Sequence, residues 1–535
     1  MRFFDDFQGV SGLKVNLDKT EGVWPGPPRN DMDGPIPIRW TKKFKTLGIH
    51  FSDNEINSCG DNVRVKIKEI KELFNIWNSR DLSIIGRVLI AKSLASSKLL
   101  HAISATMVTD EVLSEVQQII WQFVWNYKPP KVKNVVLCQR SCEGGLKVIH
   151  LLSQAKSMRI MWMKRLWTTE NNRGWIQTLQ LLFPHISIID LCLCRGDVSN
   201  HVSALSGFYK LMLRDWCELK RLTRPCTAED TRKEFIWFNN FIVIEGKSAF
   251  WKHWYDKGIR FINDIVDQEG NFLLQDQLTQ KYGINTNFLE CLQLRSAIPY
   301  EWKQLLREPC GSVESETIEA VVEVHGKAIP LGSVACRDIY WTLINSFKET
   351  PTAQNKWLAS HPEIQSKDWR NIYLVSFSCT LETKLQAFSF KILHRIVQHK
   401  ELLNKMGIEQ NSECPFCGES ESIEHKFYFC RRTLTFWNSF SEWWNNNFVN
   451  IDLTELDVLF GLFDMPKNNC LNYMILLGKY YIQLHHSSQQ PLLCNSFLVF
   501  VTSKMKLLKS ISINRNNRSF DDTWEIVLNV LTNNS

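Results

Sequence analysis

Between Asp61 and Trp125 apolar residues return at every third or fourth position. Val63, Ile67, Ile70, Phe74 and Trp77 step by 4, 3, 4 and 3, which places them on one face of a helix. The pattern continues through Leu82 to Ala105 and Val112 to Trp125, predicting two more helices before Pro129-Pro130 ends the block. Upstream the period is different. Residues 1–8 read as the end of a helix broken by Gly9 and Ser11-Gly12, and Leu13-Lys14-Val15-Asn16-Leu17 alternates as a strand does. Trp24 to Pro28 reads as a loop, and Phe44 to Phe51 as another short strand with Gly48 inside it.

Further along, Cys142 to Leu146 is a turn and Leu152 to Trp167 a helix. Residues 170–335 carry few signals beyond an aromatic-rich stretch from Glu234 to Trp254 and a strand, turn and helix from Gly258 to Tyr282. Lys384 to Met406 reads as one helix, and residues 441–535 as helical with a polar tail. The pattern therefore predicts a mainly α protein with a few short β elements near its start.

Composition adds limits. A chain of 535 residues has room for about two to four domains. A hydrophobic share of 44% with 12% aromatic is enough for true cores and argues against general disorder. No run of about 18 apolar residues occurs, so no membrane-spanning helix is expected. The 16 Cys are scattered and no secretory leader opens the chain, which reads as intracellular with reduced thiols. Position 1 falls directly on an amphipathic helix without a preceding strand or cap, as expected of a fragment. The net charge of +7 permits a polyanionic partner without requiring one.

Where the charge sits is more telling. Arg64, Lys66, Lys68, Lys71, Arg80, Arg87, Lys92 and Lys98 face only Asp61, Glu69, Glu72 and Asp81 on the first helices. That is either a solvated face or a groove that tracks a nucleic-acid backbone. Lys156, Arg159, Lys164 and Arg165 stand beside Trp162 and Trp167. Such a mixture suits phosphate contact with base stacking, and equally an amphipathic helix with snorkelling cations.

One motif is chemically specific. Cys414, Cys417, His425 and Cys430 form Cys-x2-Cys-x7-His-x4-Cys. The first pair makes a tight knuckle around Pro415 and Gly418, and His425 with Cys430 completes a three-thiolate, one-imidazole set for zinc. Four protein ligands leave no open position, so the zinc is expected to be structural and to stabilise a small lobe with little core of its own. Cys138 with Cys142, and Cys192 with Cys194, lack a His at useful spacing.

These blocks, in order, resemble the C-terminal half of the polymerase protein of non-LTR (LINE-type) retrotransposons. The resemblance rests on Phe7, Ser11-Gly12-Leu13, Asn16 and Lys19-Thr20-Glu21, then Thr46 to Phe51, Trp77 to Ser104 and Phe123 to Lys131. Gly144 to Trp167 and the zinc segment with Glu421, Phe427 and Trp437 complete it. It implies a palm remnant with a primer-grip hairpin over 1–55, a helical thumb over 56–130 and a connector over 131–335. A helical region over 336–410, a zinc-binding lobe over 411–440 and a C-terminal helical region over 441–535 would follow. The implied partners are RNA and DNA as template and primer, with no membrane and no small-molecule substrate. The expected contacts are Lys14, Lys19, Arg64, Lys68, Arg80, Arg87, Lys92, Lys98, Arg159, Lys164 and Arg165.

Phe3-Phe4-Asp5-Asp6 imitates the aromatic-x-Asp-Asp box of such polymerases. In the family that box lies well upstream of Ser-Gly-Leu, whereas Asp5-Asp6 precede Ser11 by only four residues. Two-metal phosphoryl transfer needs carboxylates from separated strands, so no catalytic residue and no polymerase activity is expected of this chain by itself. A zinc-braced protein-interaction module, and an active polymerase shortened at its start, are the alternative readings.

Overall fold

The computed structural model describes residues 2–22, 38–52, 59–169, 174–199, 205–222, 224–309, 320–324, 326–463, 469–488, 490–514 and 522–533. The Trp24 to Pro28 loop of the sequence reading lies outside them. The protein is mainly helical, with four two-stranded sheets among the described residues. It divides into two compact units, each built from three stretches of chain. One comprises Met1–Lys71, Ser96–Gln117 and His150–Phe347; the other comprises Glu72–Ala95, Gln118–Ile149 and Lys348–Ser535. Among the described residues no helix is long and apolar enough to cross a membrane.

In the first unit the helix Arg2–Ser11 runs through Gly9 before ending. Leu13 to Asn16 does not form the expected strand. Asn16 instead caps a single 3-10 turn, Leu17–Lys19, by accepting from the Lys19 backbone N–H at 3.1 Å. A lone alternating pentapeptide gains nothing from strand geometry without a neighbour to pair with, and a local Asn cap competes effectively. Phe44 to Phe51 is likewise not one strand. Lys43–Thr46 and Ile49–Ser52 pair antiparallel around Leu47 (φ 49°) and Gly48 (φ 82°), the two positive dihedrals of a tight hairpin turn.

The core of this unit surrounds the helix Leu151–Thr168, which packs against Gly207–Arg221 and Cys336–Asn345. Residues 170–335, almost silent in sequence, supply most of the buried cluster, including Trp216, Trp237, Trp254 and Trp302. In Gly258 to Tyr282 the expected helix forms as Gln275–Tyr282, and the expected strand is reduced to a 3-10 turn and an isolated Val266–Phe272 bridge.

The second unit is organised around Asn469–Leu484, a helix buried on nearly every side. Against it pack Trp369–Cys379, Thr383–Leu393, Cys494–Asn514 and Asp522–Asn533. The last of these buries Trp524, Val527, Leu528 and Leu531, so much of the expected polar tail is a packed helix. Lys384 to Met406 is two helices, Thr383–Leu393 and Lys400–Lys405, separated at Arg395 (φ 54°). The break has clear local causes. Ile396 and Val397 both donate their backbone N–H to the Lys391 carbonyl, and Glu421 accepts from the Lys400 N–H at 2.9 Å to start the second helix.

Candidate metal centre

The strongest sequence motif folds into a single cluster. Cys414 opens a knuckle in which the Gly418 N–H donates to the Cys414 carbonyl at 3.0 Å, and Gly418 takes φ 80°. That dihedral is the reason for a glycine after the second Cys. The Cys414 N–H donates in turn to the Glu419 carbonyl at 2.7 Å, closing a loop tied further by a Glu413–Ser420 bridge.

The other two donors come from a widened helical turn, His425–Phe429, in which the Cys430 N–H reaches back to the His425 carbonyl at 2.8 Å. Cys430 stands at the start of Arg431–Asn447, where the helix dipole favours a thiolate. The ligand atoms of Cys414, Cys417, His425 and Cys430 all lie within 4.8 Å of one another.

The geometry suits zinc closely. Tetrahedral Zn–S bonds of about 2.3 Å separate two sulphurs by about 3.8 Å. The Cys414 and Cys430 Sγ atoms are 3.8 Å apart, and Cys417 Sγ is 3.2 Å from His425 Nε2. The other ring nitrogen, Nδ1, lies 3.3 Å from a Glu419 carboxylate oxygen. A carboxylate there holds the imidazole with Nε2 free for a metal.

Cys414, His425 and Cys430 are buried and Cys417 is exposed. Burial pushes the Cys414 thiol up to about 12 and the Cys430 thiol in the same direction. Without a cation the pocket therefore disfavours the thiolates, and a dication supplies the missing charge. The other cysteine pairs offer no comparable environment. Burial raises Cys138 to about 12 and Cys194 well above its ordinary value, the setting of an inert thiol.

The zinc-binding lobe packs into the core of the second unit. Ile423 and Phe427 are both fully buried in the main cluster of the second unit, with Phe436 and Trp437 from the following helix. The Trp437 indole N–H donates to the Phe427 carbonyl at 2.8 Å, tying the ligand-bearing turn to that helix. Beneath it, buried Glu421 meets His486 at 2.6 Å. Burial works to raise the Glu421 carboxyl, yet the His486 hydrogen bond and charge prevail and hold it below the usual range. Sequence reasoning missed His486 and Lys426, whose Nζ donates to the Gln398 carbonyl at 2.7 Å and which burial lowers to about 8. Only chain folding brings such partners together.

The expected nucleic-acid contacts divide sharply. Arg87 is buried and donates to Asn78 and to the Phe123 carbonyl, at 3.0 and 3.2 Å. Arg159 is fully buried, with Nε 2.5 Å from Asp215 and a further bond to the Val108 carbonyl. Both hold their units together and neither is available to a phosphate, which corrects their assignment. Lys164 donates to the Val334 carbonyl at 3.0 Å, and Lys98 pairs with Glu69 at 2.8 Å. Lys14, Lys19, Arg64, Lys68, Arg80, Lys92 and Arg165 are exposed. Asp5 and Asp6 are exposed on Arg2–Ser11, and among the described residues they belong to no cluster able to hold a metal.

With the cluster defined, comparison with known proteins gives it a context. A family described as zinc-binding in reverse transcriptase matches residues 352–437, a span that starts well before the Cys/His motif and takes in the four preceding helices Thr352–Ser360, Trp369–Cys379, Thr383–Leu393 and Lys400–Lys405. A Xenopus laevis protein named Transposon TX1 uncharacterized 149 kDa protein is 19% identical over 500 residues. That alignment covers 81% of this chain and 37% of the Xenopus protein, so the chain spans well under half of its relative. Together these findings relate the chain to retrotransposon reverse-transcriptase proteins and place their zinc-binding segment within the second unit.

Proposed function

We propose that these 535 residues form a nucleic-acid-binding part of a retrotransposon reverse-transcriptase protein, stabilised by one structural zinc and without polymerase activity of their own. The convergence of Cys414, Cys417, His425 and Cys430, inside a span matched by a reverse-transcriptase zinc-binding family, carries this reading. All four donors belong to the protein, so the ion braces the fold and leaves no position for a substrate.

Binding is assigned to exposed cations that are not used internally. Arg64 and Lys68 lie one helical turn apart, and Arg80 and Lys92 are also exposed; none has an ion-pair partner among the described residues. Template RNA paired with primer DNA is the expected ligand. Asp5 and Asp6 lie side by side on a solvent-facing helix, and among the described residues no further carboxylate joins them in a cluster of the kind that two-metal transfer requires.

Two measurements on the purified chain test this. Elemental analysis of protein prepared without chelator is expected to give about one zinc per chain, and clearly substoichiometric metal removes the site. Anisotropy titration with an RNA–DNA hybrid is expected to show the logarithm of the binding constant falling linearly with log salt concentration, by about 0.9 per phosphate contact for each tenfold rise in salt. No binding at any ionic strength would leave the zinc-braced interaction module as the better reading.

A further inference from the structure

The second unit contains a groove of about 670 Å³. One wall is the start of the helix Ile84–Ile90 with the chain following Val124; the other is Thr383–Leu393 with the end of Asn469–Leu484. Five cationic side chains line it, Arg87, Lys128, Lys131, Lys384 and Lys391, against the single carboxylate of Asp81. Arg87 is occupied by Asn78 and Phe123, and Lys384 is paired with Asp81 at 2.9 Å. Lys128, Lys131 and Lys391 remain, with no ion-pair partner among the described residues. Desolvation on the wall, and then the charge of Lys131, push the Lys391 ammonium down in pKa. Like charges gathered around a concavity are unfavourable until an anion enters it.

A second, independent feature points to the same ligand. The side-chain oxygen of Gln483, on the groove wall, is buried and accepts no hydrogen bond. A buried acceptor without a donor costs about 1–3 kcal/mol unless a ligand satisfies it. Trp125 and Tyr480 stand half-buried on the same walls and present ring surface.

We propose that this groove binds single-stranded nucleic acid. Lys128, Lys131 and Lys391 take the phosphates, and an unpaired base or a ribose hydroxyl donates to Gln483 Oε1. The assignment rests on the nucleic-acid reading above and makes it more specific. Single strands are favoured because a cleft of this volume encloses a ligand of a few rings and phosphates. A duplex has its base edges already paired and so has less to offer the Gln483 acceptor. Aromatic edges beside lysines are the usual way of holding unpaired bases.

The test uses the full chain with a fluorescent single-stranded oligonucleotide and, separately, an RNA–DNA hybrid. The double variant K131E/K391E is compared with R64E/K68E, and thermal melting confirms that both fold. The groove variant is expected to weaken single-strand binding at least about tenfold while changing hybrid affinity less than about twofold. Q483L is expected to weaken the single strand several-fold with the salt slope unchanged, since it removes an acceptor and no charge.

Equal loss for both ligands, or no loss for either, overturns the groove while leaving the broader reading intact. Failure of the wild-type chain to bind either ligand overturns both. Displacement of the oligonucleotide by stoichiometric inorganic pyrophosphate would mark a site for small phosphate compounds and overturn the single-strand assignment.

Discussion

The helices Leu151–Thr168 and Thr383–Leu393 look alike in sequence, each with basic residues among large apolar ones, yet they use their cations in opposite ways. In the first, Lys156 pairs with Glu218, Arg159 lies in the core against Asp215, and Lys164 holds the Val334 carbonyl; only Arg165 stays exposed, over the Trp162 ring at 4.3 Å. In the second, Phe388 and Phe390 are buried while Lys384 and Lys391 face a groove. The acids decide the outcome. Asp215 and Glu218 share the helix Gly207–Arg221, which packs on the first helix and neutralises it. Within the second unit only exposed Asp81 answers the cations of Thr383–Leu393 in the groove. A cation beside an aromatic residue thus has no fixed meaning until its neighbours in space are known.

The sharpest way to break this contrast is to remove one cation from each helix. Arg159→Ala leaves Asp215 buried with only the half-exposed Arg214, 3.1 Å away, as partner. It is expected to cost about 3–5 kcal/mol in denaturant unfolding. Lys391→Ala is expected to change stability by less than about 0.5 kcal/mol, as surface substitutions do. Comparable losses from both would mean that Lys391 is structural too.

Acid should distinguish the units next. In the first unit burial lowers His150 from 6.5 to about 4, and in the second it does the same to His394 and lowers His399 as well. Between those values the unfolded chain binds protons that the folded one refuses. Stability is therefore full above about pH 6.5 and is lost as pH falls toward 4, at about 1.4 kcal/mol per pH unit for each histidine. The second unit should fall more steeply, because protons also compete with zinc for its ligands. Melting temperatures followed from pH 7.5 to 4.5 would show this, and a flat profile would contradict it.

A smaller loss than that of Arg159→Ala is expected from packing under the metal centre. A Cβ on Gly478 would come within 2.5 Å of the Trp437 ring, which is itself almost fully buried. Gly478→Ala should cost about 1–3 kcal/mol through overpacking. Because Trp437 holds the Phe427 carbonyl in the ligand-bearing turn, faster release of zinc to a chelator should accompany the loss. Unchanged release would show that the turn is independent of the helix beneath it.

What could be read in advance was local. The apolar stripe through Val63, Ile67, Ile70 and Phe74 is buried as its spacing requires, and the Cys/His quartet comes together. What could not be read depends on distant partners. Nothing near Arg159 announces that Asp215, 56 residues away, takes it into the core. Nothing in Lys384 to Met406 shows that the chain turns at Arg395, because the group that starts the next helix is Glu421. The zinc motif reads as a small independent lobe because its ligands are close in sequence, whereas Ile423 and Phe427 pack with helices that begin as early as Thr352. Two units assembled from interleaved stretches of chain leave no mark at the boundaries between composition blocks.

The widened turn at His425–Phe429 has a consequence for how the motif can vary. In a regular α-helix residues five apart point about 140° away from each other. The hydrogen bond from the Cys430 N–H to the His425 carbonyl expands the turn and brings the two side chains back toward one side. The interval between His425 and Cys430 therefore acts as a rigid ruler, with its length set by backbone hydrogen bonding. The interval between Cys417 and His425 is loop only as far as Ser422, and it too is held, by the Glu421 contacts with Lys400 and His486 and by the burial of Ile423. One residue inserted after His425 is therefore expected to carry the Cys430 thiolate away from the imidazole and abolish zinc binding, which elemental analysis of the purified variant would read.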